Sequence, residues 1–112
     1  MSLIENFEKL LAHGQDNALL RFGLGQAYLQ ANEFAQAVSH LQQAVVHDKN
    51  YSAAWKLLGK ALGAQGDDAA AIQAYQQGIQ IAEAKGDVQA AKEMRVFLKR
   101  LQKTISPKPD QT

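Results

Sequence analysis

Apolar side chains recur every three or four residues along most of this chain, broken at short intervals by glycine, asparagine or aspartate, and that spacing predicts helices joined by tight turns. A first helix over residues 2–12 places Leu3, Phe7, Leu10 and Leu11 on one face, and Gly14 ends it. A second, over 17–31, stops at Asn32, a residue that tolerates a left-handed turn. A third, over 34–47, carries the stripe Ala37, Val38, Leu41, Ala44 and Val45 and breaks at Asp48-Lys49-Asn50. A fourth starts at Ser52 as N-cap and runs to Gln65, with Gly66 closing it. Asp67 or Asp68 caps a fifth over 68–84, and after Gly86 a sixth covers 87–104, begun by Asp87. Ser106-Pro107-Lys108-Pro109 cannot extend a helix, so residues 105–112 are expected to form a disordered tail. No alternating β-branched run bounded by hairpin turns is present, and connections of two to four residues imply antiparallel neighbours. The expected fold class is all-α.

The chain also resembles itself at an offset of 34 residues. Leu24-Gly25 recurs as Leu58-Gly59, Ala37 as Ala71, Leu41 as Tyr75, and Asn32 as Gly66. Glycine inside a helix costs about 1 kcal/mol relative to alanine. Two such glycines one period apart point to a shared reason, close approach of a neighbouring helix, for which Ala37 and Ala71 offer a small matching surface. Residues 52–85 read Trp55-x2-Leu58-Gly59-x2-Leu62, then Ala71-x3-Tyr75; residues 18–51 read Arg21-x2-Leu24-Gly25-x2-Tyr28, then Ala37-x3-Leu41. Period and slots together resemble the tetratricopeptide repeat, whose unit is a pair of antiparallel helices, A and B. The departures are Arg21 for tryptophan, Leu62 for tyrosine, and Lys49 and Glu83 where proline is common. The resemblance implies an α-α superhelix within a single domain, residues 1–104. It comprises a half-repeat helix (2–12), two full repeats (18–51 and 52–85) and a capping helix (87–104) with a narrow stripe of Ala91, Met94, Leu98, Leu101 and Ile105. The stretch from Gly78 to Leu101 is similar to the C-terminal end of small bacterial members of this family.

Charge adds one feature. Residues 1–84 carry a net −3 and residues 85–112 a net +4, concentrated in Lys85, Lys92, Arg95, Lys99, Arg100, Lys103 and Lys108. Such a block attracts acidic partners or merely solvates a helix face, and the pattern favours the second. With no cysteine, disulfides, thiolate nucleophiles and cysteine-based metal sites are excluded. Glu5, Glu8 and Lys9 interrupt the first helix, so it does not read as a secretory signal, and no run is long enough to cross a membrane. A cytoplasmic location is the expectation.

Catalytic chemistry is not legible. Gly23-Leu24-Gly25 lies within a helix with no strand before it, and no phosphate-binding loop or nucleophile elbow occurs. His40 and His47 stand roughly 10 Å apart along one helix, too far to share a metal without other ligands. Asp67-Asp68 reads as a helix start, not an acid–base pair. No enzyme activity, cofactor, metal or small-molecule substrate is expected. The resemblance instead implies a groove lined by the A helices, and its slots carry over to Phe22, Gln26, Lys56, Lys60, Met94 and Phe97. Lys56 and Lys60, four residues apart, project side by side. With Phe22 and Phe97 as apolar walls they would suit a protein or peptide segment with an acidic or C-terminal carboxylate group. Phe22 and Gln26, and Ala90 and Met94, stand where chaperone-type carboxylate clamps carry lysine, asparagine and arginine. The alternatives are a self-associating assembly subunit and, least favoured, a nucleic-acid binder acting through the basic last helix.

Overall fold

The computed structural model describes residues 2–105, with the side chain of Ile105 excepted. Six helices follow one another: α1 Leu3–Ala12, α2 Ala18–Gln30, α3 Phe34–His47, α4 Ser52–Ala64, α5 Asp68–Lys85 and α6 Val88–Ile105. The boundaries fall within a residue or two of those read from the pattern. Of the expected tail, Ile105 is still helical and residues 106–112 lie outside the described residues. Each helix packs chiefly on its sequence neighbours, and the A helices also touch one another, α2 on α4 and α4 on α6. The result is a slab of 56 × 30 × 18 Å with a radius of gyration of 15.0 Å. A compact body of this length would measure roughly 13 Å, so this one is elongated.

Turn chemistry repeats along with the helices. Asn32 (φ 60°) and Gly66 (φ 93°), 34 residues apart, both take the left-handed conformation. The turns close with the same bond, Glu33 N–H to the Tyr28 carbonyl and Asp67 N–H to the Leu62 carbonyl, each 2.9 Å. Satisfying the last carbonyls in this way lets the chain reverse within three residues. Capping follows sequence in part. Ser2 and Glu5 form a reciprocal capping box, and Asn17 and Asp67 cap α2 and α5. Ser52 does not cap α4. Tyr51 holds that position, and Ser52 lies buried in the first turn, where its hydroxyl donates to Asp87 Oδ2 at 2.8 Å. The other Asp87 oxygen accepts the Ala90 N–H, so one carboxylate starts α6 and ties it to α4.

The helical glycines receive the large member of the helix B pair. A Cβ on Gly25 would stand 2.4 Å from Leu41 Cγ, and one on Gly59 2.5 Å from Tyr75 Cε1. Ala37 and Ala71, expected to be the facing surface, are fully buried, but a bulky side chain one turn later fills the glycine gap. Other glycines repeat the device at the two ends of the stack: the Phe7 ring sits on Gly23, and Met94 with Trp55 sits on Gly78.

The first unit holds a polar network where the second is apolar. Arg21 grips Asp16 through two bonds of 2.8 and 2.9 Å and donates to His40 Nδ1 at 3.1 Å. A guanidinium can only donate, so Nδ1 accepts and the His40 proton sits on Nε2, which faces Glu8 at 3.7 Å. Tyr28 stacks on His40 (5.4 Å between centroids) and donates to Glu8 Oε2 at 2.5 Å. His47 reaches Asp16 at 2.9 Å. Hydrogen bonds from Arg21 hold the Asp16 carboxyl down at about 2, and the Glu8 carboxylate pushes the Tyr28 phenol up to about 12. Burial keeps the His40 imidazole below its ordinary value, against the pull of Glu8.

Gly59→Ala should lower unfolding free energy by ~2 kcal/mol in urea titration, because the Tyr75 ring it strikes is itself buried. Gly63→Ala, whose added methyl meets nothing closer than 3.9 Å, should gain up to ~0.5 kcal/mol. A histidine whose folded-state pKa lies below its unfolded value binds protons more readily when unfolded. His40 should therefore contribute stability that is complete above about pH 6.5 and falls as pH drops toward the lowered value. Thermal melts from pH 7.5 to 5 should show that decline, and His40→Gln should flatten it.

Candidate functional site

Lys56 and Lys60 stand on the side of α4 that faces α6, and five charges or rings meet there. Lys56 is not free: its Nζ donates to Glu93 Oε1 at 2.7 Å, and Gln89 holds the other Glu93 oxygen at 3.2 Å. The Lys56 bond keeps the Glu93 carboxyl below the usual range. Lys60 lies 5.6 Å from the centroid of the Phe97 ring, and the Arg100 guanidinium 6.0 Å from the same centroid. Both are within reach of a cation–π attraction. Phe97 in turn stacks on Tyr75 at 5.8 Å, which anchors the ring to the core. Val96 completes an open pocket of about 370 Å³ with these side chains.

Of the residues expected to form the site, three meet here: Lys56, Lys60 and Phe97. Phe22 and Gln26 line a separate pocket of about 450 Å³ with Phe7, Leu10, Leu19 and Leu20, where the Phe22 ring stacks on Tyr51 at 4.9 Å. The two aromatic walls expected around the lysines therefore face different pockets. Met94 is fully buried against Gly78 and presents nothing to a partner. Its misplacement has a physical cause. Where α2 and α4 carry Leu-Gly, α6 carries Lys92-Glu93, so that face turns outward and Ala90, Ala91 and Met94 turn in. Arg100 and Glu93 were missed because their roles depend on this rotation, although Lys92-Glu93 in the Leu-Gly slot was a readable sign of it.

Comparison with known proteins agrees with the geometry. A family model described as tetratricopeptide repeat matches residues 4–52 and 22–88. A TPR repeat-containing protein of Pseudomonas aeruginosa is 58% identical over 99 residues, spanning 88% of this chain and 94% of that protein. The chain is a small bacterial tetratricopeptide-repeat protein. Among solved structures, a protein from Bordetella parapertussis is similar with a TM-score of 0.81 and 46% identity, covering 93% of this chain and 90% of the other. The Sgt2 TPR domain from Aspergillus fumigatus is similar at 0.76 and 27%, covering 95% and 71%. The tetratricopeptide fold is that of an interaction module whose members are generally non-catalytic. No helix among the described residues is long and apolar enough to cross a membrane.

Because Lys56 already faces a carboxylate and, among the described residues, Lys60 does not, charge reversal separates them. Lys56→Glu should lower the melting temperature by setting two carboxylates against each other, whereas Lys60→Glu, which loses only an exposed cation–π contact, should lower it less.

Proposed function

We propose that this tetratricopeptide-repeat protein captures a segment of another protein on the A-helix side of the stack, and that a carboxylate of that segment is held at Phe97. The observation that carries this reading is the convergence of two cations, Lys60 and Arg100, within about 6 Å of the centre of one ring, Phe97, which Tyr75 holds in place. A carboxylate laid over the ring edge between them would gain two charge-assisted contacts while apolar neighbours pack on the ring and on Val96. Lys56 is engaged by Glu93 and serves to position α6 against α4. The pocket at Phe22 and Leu19 accommodates an apolar side chain farther along the same segment; Leu19 is 72% exposed. Nothing in this arrangement asks for a cofactor, and a cytoplasmic location suits it.

A second reading, self-association, is supported by the apolar edge at the start of the stack. Leu3 and Leu10 are exposed at 57% and 39%. Sedimentation velocity over a wide concentration range tests it, and a strict monomer removes it. The basic last helix offers less to nucleic acid than composition implied, since Arg95 is paired with Glu83 and Arg100 lies against Phe97.

The capture reading is tested with short peptides bearing one acidic and two apolar residues, prepared as free acids and as C-terminal amides. Free acids should bind more tightly than amides. Lys60→Gln combined with Arg100→Gln, which removes both charges without adding carboxylates, should weaken them by about tenfold or more while helicity stays as in the parent and melting falls only slightly. Equal binding by both peptide forms, undiminished in the double variant, would remove the proposal.

A further inference from the structure

The two repeats build two equivalent grooves on the side of the A helices away from Lys56 and Lys60, and among the described residues only the first is filled. In the first unit Glu8, Arg21, Tyr28 and His40 occupy the space between α1 and α3 over α2, locked by the Tyr28–His40 stack and the Tyr28–Glu8 bond. Thirty-four residues on, the same four slots hold Gln42, Trp55, Leu62 and Ala74. A phenol has become an isobutyl group and an imidazole a methyl. All four second-unit residues line an open groove of about 590 Å³ between α3 and α5 over α4. The floor is apolar, with Leu58 at 5% and Leu62 at 6% exposure, and Trp55 forms a wall fixed by its indole N–H donating to the Lys49 carbonyl at 2.8 Å. The rim is of neutral amides, Gln65, Gln73 and Gln77, with one charge of each sign, Lys49 and Asp67.

We infer that this second groove is a docking site for a tyrosine side chain of a partner protein. The argument is internal to the molecule: the chemistry that completes the first groove is what the second one lacks. There, a phenol ring lies on the helix A face and its hydroxyl reaches the carboxylate of Glu8; here, Gln42 stands in the Glu8 slot with a side-chain oxygen able to accept the same bond. An entering phenol would lie over Leu62 beside the Trp55 indole, in the space vacated by two rings. A groove with balanced charge and an amide rim selects against a charged segment and accepts a neutral one. This site is distinct from the carboxylate pocket on the other side of α4.

The test uses N-acetyl-L-tyrosinamide as probe. The chain has a single tryptophan, so the Trp55 indole N–H is a unique reporter in a nitrogen–proton correlation spectrum. Saturable low-millimolar shifts are expected at that indole and at the Gln42 and Gln77 side-chain amides, with N-acetyl-L-leucinamide about fivefold weaker. Leu62→Tyr combined with Ala74→His transplants the first unit's rings and should abolish the response. Ala70→Leu, which adds bulk at a half-exposed position on the groove wall, is the second blocking variant should the double change disturb the fold. A response surviving both variants, leucinamide binding as tightly as tyrosinamide, or shifts confined to Phe97 and Lys60 would each overturn the assignment. Both blocking variants should still bind the acidic peptides, so failure here and failure of the carboxylate reading are separately visible.

Discussion

A large side chain seated where a helix has no side chain is the contact on which this fold depends. Leu41 on Gly25 and Tyr75 on Gly59 bring the paired helix axes closer than any residue with a Cβ would permit. Close approach lets Ala37, Ala44, Ala71 and Ala82 be fully buried although each offers only a methyl group. A core built of alanines is shallow, so its cohesion comes from dense contact more than from the area of any one side chain. The repeat then propagates the geometry, because each pair leaves a face that the next helix covers.

The parts of the fold that were legible in the sequence are those that recur. The helix limits, the left-handed turns at Asn32 and Gly66 and the glycine gaps were all marked by residue types that stand at the same place in each unit. What recurs constrains a structure locally, so one copy explains the other. The departures are where sequence reasoning fell short. Ser52 has the composition of a cap, but its hydroxyl serves Asp87, 35 residues away. Met94 occupies a slot that faces outward in α4, where it is Lys60, yet it is buried because α6 has no partner helix of its own and turns its charged face to water.

The candidate site shows the same division. Lys56 and Lys60 were readable as a side-by-side pair, and the structure keeps them adjacent. Their inequivalence comes from α6, which gives Glu93 to one and Phe97 to the other. No local pattern encodes that distribution, since it depends on how a terminal helix settles on the stack. The polar network of the first unit was likewise hidden. Its members come from three helices and the loop before α2, and in the sequence they read as scattered substitutions for apolar residues.

The first helix joins this stack on unequal terms. No residue of α1 is fully buried; it is held by the half-buried Ile4, Phe7 and Leu11, with the Phe7 ring on Gly23, and by Glu8 on Tyr28 and His40. Local opening costs little where burial is slight, so α1 is able to peel away while α2 to α6 stay folded. Its amides would then exchange with solvent faster than those of any interior helix, and a protease would cut α1 before it cut α2 to α5. The molecule thus carries a graded durability along its length, with its most dispensable turn at the place where a chain of such units would be extended.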